Sequence, residues 1–425
     1  MSFFEGIVVF LPIMIAACGI FYLIKLRFFF VLHPFKTLKL MFSDKSQLKQ
    51  LSLSLAGTLG VGNIVGVGVA VALGGAGAVF WMWISALVSM ILKYAEIVLA
   101  VKHREFDARG DARGGPMYYM KNGVGGKLGR ALAIIFAALG VIMSFIMGNI
   151  VQSHAAVGAV RNIFDVPPLA VGIILAALCA MSIFGGYTAV SRVTSVIVPL
   201  MSAAYIIMTL CIIFSNISSV PRVIESIFLS AFDLSAAGGG ITGFLVCGAV
   251  RHGVAKGAYS HEAGSGTAPL SHAQTKIKSP ARQGLLGLFE VFFDTIIICS
   301  LTAFVILLYG GDAGGGMASI RAAFEHFCGS AGVYVVMISI VFFAFSTIIC
   351  WGYYGRTCLD YLFKDARVKN AYLALYCMAV VAGAVISESR AWMLTDIGVA
   401  LMTYINLIAV VYLWRDVRRE TDLLF

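Results

Sequence analysis

Gly57-Thr58-Leu59-Gly60-Val61-Gly62-Asn63-Ile64-Val65-Gly66-Val67-Gly68 sets five glycines and one asparagine inside an otherwise largely apolar run from Leu51 to Leu73. In hydrocarbon an unwound backbone is tolerated only where protein or a cavity surrounds it, so this glycine crowding reads as a membrane helix broken at mid-depth where it lines a ligand site. Close packing of helices through small residues explains the same spacing equally well for this stretch alone. A nucleotide-binding glycine loop is excluded, because no polar strand-loop-helix context surrounds the run.

The rest of the chain supports the membrane setting. Of 425 residues, 60% are hydrophobic and 12% charged, and the mean hydropathy is +0.93; a water-soluble protein of this size needs far more surface charge. Crossing about 30 Å of hydrocarbon takes roughly 20 apolar residues. Eleven stretches qualify: 5–24, 50–72, 76–101, 130–157, 167–185, 193–215, 226–262, 285–309, 331–355, 370–387 and 393–414.

Lys and Arg gather in cytoplasmic loops. With the N-terminus outside, 26 basic residues fall on the inner side and only Arg161, Arg222, Arg321 and Arg390 on the outer side. One threading thus fixes eleven spans, an outside N-terminus and a cytoplasmic C-terminus, and the net charge of +10 becomes a topology signal with no nucleic-acid partner implied. Met1 to Gly6 carries Glu5 and no basic n-region, so the first span is expected to be retained. The nine cysteines lack CxxC spacing and read as packing residues.

The seventh span, about Ser226 to Glu262, is too long for one straight crossing at about 1.5 Å per residue, and it contains Gly238-Gly239-Gly240, Gly243, Cys247-Gly248, Gly253 and Gly257. A second interrupted span five after the first, running the opposite way, is the pattern of an inverted repeat. The expected organisation is an accessory helix and basic loop (1–49), a five-helix repeat (50–215), a second, inverted five-helix repeat (216–414) and a cytoplasmic tail (415–425). The polar segments 25–49, 102–129 and 259–283 are expected to be cytoplasmic loops.

Breaking a helix frees N–H groups suited to a carboxylate and carbonyls suited to a cation or ammonium. Gln152 is an amide in an apolar span, costly unless paired, and fits a ligand contact or an interhelical tie. Ser346 and Thr347 either bond back to their own helix or supply oxygens to a hard cation. Lys93 and Glu96, at i and i+3 near a span end, are expected to pair with each other and snorkel. Asp294 and Asp396 are acids near span interiors and so functional candidates. His261-Glu262 lacks the second histidine of an HExxH zinc motif, since position 265 is Ser265.

Longer blocks carry a resemblance. Gly60-x-Gly62-Asn63-Ile64, Ala70-x-Ala72-Leu73-Gly74-Gly75-x-Gly77-Ala78-x-Phe80-Trp81-Met82-Trp83, Lys93-Tyr94-Ala95-Glu96 and Gly114-Gly115-Pro116-Met117-Tyr118-Tyr119 occur in the order seen in sodium:alanine (alanine or glycine:cation) symporters. Ser260-x-Glu262-Ala263-Gly264-x-Gly266-Thr267-Ala268-Pro269, Arg282-Gln283-Gly284, Asp294-Thr295, Phe345-Ser346-Thr347 and Trp351-x-Tyr353-Tyr354-Gly355 continue the likeness over nearly the whole chain.

The resemblance implies an all-α, leucine-transporter-type inverted repeat plus one N-terminal helix, in the inner membrane. It implies an importer of a small neutral amino acid, alanine or glycine, coupled to sodium, with no cofactor and no enzymatic step. Substrate is then expected against Gly60, Val61, Gly62, Asn63, Gln152, Cys247, Gly248 and Trp351, and sodium against Thr58, Gly60, Ser346 and Thr347. Lys93, Glu96, His261, Glu262 and Asp294 are gating or coupling candidates. Proton coupling through Asp294 or His261, and a sensor or channel on the same fold, are the alternatives. The chain departs from the family at Val61, where Thr is usual, at Lys256 to Glu262, at Gly352, and at Ile405-Asn406-Leu407.

Overall fold

The computed structural model describes residues 3–42, 46–108, 110–232, 248–311, 314–386 and 388–425. Almost all of them are helical. Helix α1 is Phe3–Lys25, and two short helices, Phe29–Leu32 and Pro34–Met41, follow it. The glycine-rich span is interrupted: α2 (Ser46–Thr58) ends, the chain makes a single 3-10 turn at Val61–Asn63, and α3 (Val65–Gly74) resumes. Then come α4 (Gly77–Lys102), a hairpin pairing Glu105 with Arg113, α5 (Gly126–Arg161), α6 (Pro168–Ile183), α7 (Gly186–Ser215) and α8 (Val220–Ala231). The later helices are α9 (Gly248–His261), α10 (Ala268–His272), α11 (Pro280–Tyr309), α12 (Gly316–Leu362), α13 (Ala366–Gly383), α14 (Glu388–Tyr412) and α15 (Trp414–Asp422).

Local chemistry sets the boundaries. Pro168 opens α6 with φ already helical, and Ser279 caps α11 by accepting the Arg282 N–H, with Pro280 at the first helical position. Asp365 caps α13 by accepting the Arg367 N–H at 2.8 Å. The long α12 kinks at Gly329, whose φ is 57°.

Among the described residues six helices are long and apolar enough to cross a membrane, and three shorter apolar ones accompany them. Met181, Leu200 and Phe214 are 79, 67 and 66% exposed, a surface that water would penalise and lipid would solvate. The charged groups do the reverse: Lys93, Glu96, Glu262, His261, His272, Glu290 and Asp294 are all buried.

Of the expected seventh span, 226–262, the structure describes the end of α8 and, from Gly248, α9. The glycines at 238–240 and 243, and Cys247, where an interruption was expected, lie outside the described residues. A break is seen at Glu262–Thr267, where Glu262, Gly264 and Gly266 take φ of 51°, 89° and 80°. This segment was expected to be loop, yet Glu262 is 3% exposed, since neighbouring helices supply partners for its freed backbone groups.

The two broken segments run antiparallel. Gly248 packs against Leu73 and Gly74, Gly62 against Tyr259, and the His272 Nε2 lies 2.9 Å from the Ser54 Oγ. Arg251 and Lys256 therefore lie toward the end of the bundle away from the main basic loops. This moves two of the 26 basic residues across and leaves the bias intact.

Candidate functional site

The break in the first segment is held by side chains from four other elements. Asn63 Oδ1 accepts the Gly60 N–H at 3.0 Å, closing the turn, while its Nδ2 donates to Asp294 Oδ1 at 2.6 Å. The Thr302 hydroxyl donates to the Asn63 carbonyl at 2.9 Å. Gln152 Oε1 accepts the Val61 N–H at 3.1 Å, and its Nε2 reaches the Met147 carbonyl and the Tyr259 hydroxyl, each at 3.3 Å. The Met147 carbonyl lies in the wider π turn Ile146–Ile150. Gln152 is thus both of the things its sequence position allowed, an interhelical tie and a group lying on the break.

Glycine is required where these groups converge. A Cβ on Gly60 would lie 2.8 Å from Thr347 Oγ1 and 3.1 Å from Gln152 Oε1, and one on Gly62 would lie 2.7 Å from the Tyr259 ring.

The hydroxyls on α12 behave differently from each other. Ser346 Oγ donates to the Phe343 carbonyl of its own helix at 2.9 Å. Thr347 Oγ1 lies 3.0 Å from that same carbonyl and also 3.2 and 3.3 Å from the Ala56 and Leu59 carbonyls of the first segment. One hydroxyl hydrogen satisfies one carbonyl; Ser346 already donates to Phe343, so three carbonyl oxygens from two helices share two hydroxyls, and those of Ala56 and Leu59 have Thr347 alone between them. Such a concentration of oxygen dipoles, with Ser346 alongside, suits a hard monovalent cation. Thr58 was expected to share this place, but its hydroxyl turns back to the Ser54 and Leu55 carbonyls at 3.5 and 3.4 Å. The carbonyls of Ala56 and Leu59 stand there instead, because the backbone at a helix end presents oxygens along its axis.

Trp351 is buried against the second break, its indole N–H donating to Glu262 Oε1 at 3.2 Å, and the Thr267 hydroxyl donates to the other carboxylate oxygen at 2.5 Å. Asp294 accepts from Asn63, Ser260 (2.8 Å) and Thr295 (2.8 Å), which joins the two broken segments through one carboxylate. Gly248 lies beside Gly74 at the far end of α3, so the structure brings Gly60, Val61, Gly62, Asn63, Gln152, Glu262, Asp294, Thr347 and Trp351 together and leaves Gly248 outside.

Lys93 and Glu96 do not pair with each other or snorkel. The Lys93 ammonium donates to the His261 carbonyl at 2.8 Å and lies 3.3 Å from Glu290 Oε2, with both side chains fully buried. Glu96 accepts the Gly266 N–H at 3.1 Å and the Asn406 amide. Each residue serves a different side of the second break, which outcompetes a mutual i,i+3 contact because the break offers backbone groups that nothing else satisfies. His261 Nδ1 accepts the Ala263 N–H at 3.0 Å, so one face of this ring also serves the break. Asp396 pairs with Lys256 at 3.3 Å.

Sequence reasoning missed Glu290, His272, Gln283, Tyr259 and Asn406. Glu290 had a visible signal, an acid inside the span 285–309; its Oε1 meets His272 Nε2 at 2.5 Å, and Gln283 Nε2 meets His272 Nδ1 at 2.6 Å. The Ala56, Leu59 and Phe343 carbonyls had none, because any residue type carries a carbonyl.

Comparison with known proteins agrees with this architecture. The family model described as the sodium:alanine symporter family matches residues 2–423. The chain is 39% identical to an uncharacterized transporter of Haemophilus influenzae over 97% of this chain and 92% of that one. It is 37% identical to the sodium/alanine symporter AgcS of Methanococcus maripaludis, over 96 and 92%. In fold it is similar to MhsT, solved in complex with L-phenylalanine, with a TM-score of 0.67 at 13% identity over 89% of this chain and 92% of that one. Two antiparallel broken helices in a leucine-transporter-type fold, matched end to end by the family model, make this a multi-pass membrane transporter and not an enzyme: the chain belongs to the sodium:alanine symporter family.

Proposed function

We propose that this protein imports a small neutral amino acid, alanine or glycine before others, by symport with sodium. The observation that carries this reading is the convergence of the Ala56, Leu59 and Phe343 carbonyls on Thr347, directly beside the broken backbone at Gly60–Asn63. The name of the Methanococcus relative supports sodium and alanine. Substrate would lie against Gly60, Val61 and Gly62 with its carboxylate toward the freed N–H groups, displacing the Gln152 carbonyl from Val61, and with Trp351 walling off a short side chain.

Sodium at Thr347 would tie α2 to α12 and hold the broken segment in the shape that accepts substrate. Coupling is then a linkage free energy, so substrate must raise sodium affinity by the same factor. The basic end of the bundle is taken as cytoplasmic, with the N-terminus outside, in the inner membrane. Rocking of the broken-helix bundle against the remaining helices would then expose this site to the cytoplasm.

Uptake of radiolabelled alanine into proteoliposomes, with sodium replaced by choline or potassium at constant pH, tests the coupling ion; unchanged uptake would sink the sodium assignment. Asp294 favours a second reading, proton coupling, because a buried carboxylate bonds directly to Asn63 at the break. Abolition of uptake by Asp294→Asn with sodium-dependent binding intact would select it. Counterflow separates a carrier from a channel, and binding without uptake would identify a sensor.

A further inference from the structure

Helix α14 grips the second broken segment on both sides of the central site. Toward Gly248, Lys256 Nζ lies 3.3 and 3.4 Å from the two Asp396 oxygens and 4.4 Å from the centre of the Trp392 ring. Trp392 packs at 4.9 Å on Tyr259, and Tyr259 covers Gly62. About 15 Å further along α14, Asn406 donates to the Gly264 carbonyl at 2.9 Å and to Glu96, and accepts from the Tyr119 hydroxyl. Both grips are made here, and the groups between them are sealed: Trp351, Gln152 and Tyr259 are 1, 2 and 3% exposed.

A site closed on both sides opens to one side only when the ties on that side break. We propose that Lys256–Asp396 and Asn406–Gly264/Glu96 are opposed latches that bind one helix, α14, to the moving broken segment, and that each must open in turn. The proposal rests on the carrier reading given above. The latches differ in kind. Asp396 is 29% exposed, so water can take over the ionic latch cheaply, whereas the amide latch is fully buried and, when it parts, strips the Gly264 carbonyl of its side-chain partner and leaves Glu96 with backbone N–H donors such as that of Gly266. The side away from the basic loops therefore opens the more readily, which suits a protein that waits for substrate there.

Cys350 supplies a native reporter. Its thiol is buried, 3.4 Å from the Leu53 carbonyl on the basic-end side of Thr347, and it becomes accessible when that side opens. The experiment alkylates the purified full chain with N-ethylmaleimide and quantifies modified Cys350 by peptide mass spectrometry. Lys256→Met should lower the Cys350 rate and Asn406→Ala should raise it, each by at least about threefold through a shifted population. The exchange of charges, Lys256→Asp with Asp396→Lys, should return the rate to that of the parent.

Melting temperatures are measured alongside, because general loosening raises the rate in both variants and cannot give opposite signs. Any pattern other than opposite signs with rescue by the exchange overturns the latches. Neither sodium nor amino acid enters the readout, so the latches and the symport reading fail separately.

Discussion

The Lys93 ammonium sits at the end of α9, 2.8 Å from the carbonyl of His261, the last residue before that helix breaks. A helix end carries about half a negative charge, and inside a membrane that charge has no water to spread into. Lys93 is a built-in cation at this terminus, and Glu290, 3.3 Å away, balances it. Removing one member of a fully buried pair costs up to about 3–5 kcal/mol, and without Lys93 the helix end loses its cation and Glu290 is left with His272. Lys93→Met should therefore lower the melting temperature strongly, and adding Glu290→Gln should recover part of the loss. Equal melting of the single variant and the parent would show that the pair contributes nothing.

Thr347 should govern sodium. Thr347→Val keeps the shape but removes the hydroxyl that faces the Ala56 and Leu59 carbonyls. Losing one hydrogen-bonding group toward a charge is worth about 1.5–3 kcal/mol, or roughly tenfold to a hundredfold in apparent sodium affinity. The thermal shift produced by sodium should move to correspondingly higher concentrations, while Thr58→Val, whose hydroxyl bonds only within α2, should leave it nearly unchanged.

The tail should loosen in acid. Helix α15 is held to the end of α4 by His103 Nε2 and Asp416 at 3.0 Å, and by Lys102, which lies 3.1 Å from Asp416 and 3.3 Å from Glu420. Burial pushes His103 below its ordinary value of 6.5 although Asp416 pulls the other way, and Lys102 and His103 hold Asp416 below the ordinary aspartate value. A histidine with a depressed pKa binds fewer protons folded than unfolded, so stability rises with pH. Its contribution falls as pH drops below 6.5, and that of Asp416 is lost only in stronger acid. Protection factors over 414–422, which remove the intrinsic slowing of exchange in acid, should fall from pH 7.5 to about 5.5, and His103→Gln should flatten that dependence.

Much of this was legible in the chain itself. Gly60 and Gly62 announced the first break, because only a residue without a side chain fits between Thr347, Gln152 and Tyr259. The break at Glu262–Thr267 was not legible in the same way, because glycine density weighs every glycine alike and points to Gly238–Gly248, most of which lies outside the described residues. What breaks α9 is Glu262, Gly264 and Gly266 in left-handed conformations, with Glu96 satisfying the Gly266 N–H from another helix. Lys93 and Glu96 show the same limit: i,i+3 spacing marks who can meet along one helix and is silent about stronger partners brought in by the fold.

Val61 stands at the centre of the first break, between Gly60 and Gly62. Its side chain is fully buried and its N–H is held by Gln152, so a hydroxyl placed there would be shielded from water. Val61→Thr should tighten amino-acid binding by about 1 kcal/mol, roughly fivefold, and lower the melting temperature without ligand, because the buried hydroxyl lacks a partner until substrate arrives. Gly60→Ala gives the opposite control. Its Cβ would press Thr347 Oγ1 and Gln152 Oε1 apart, so the sodium-induced and the amino-acid-induced thermal shifts should fall together. If Val61→Thr changed nothing while Gly60→Ala abolished both shifts, the cation and backbone parts of the site would stand and the substrate's place beside Val61 would not.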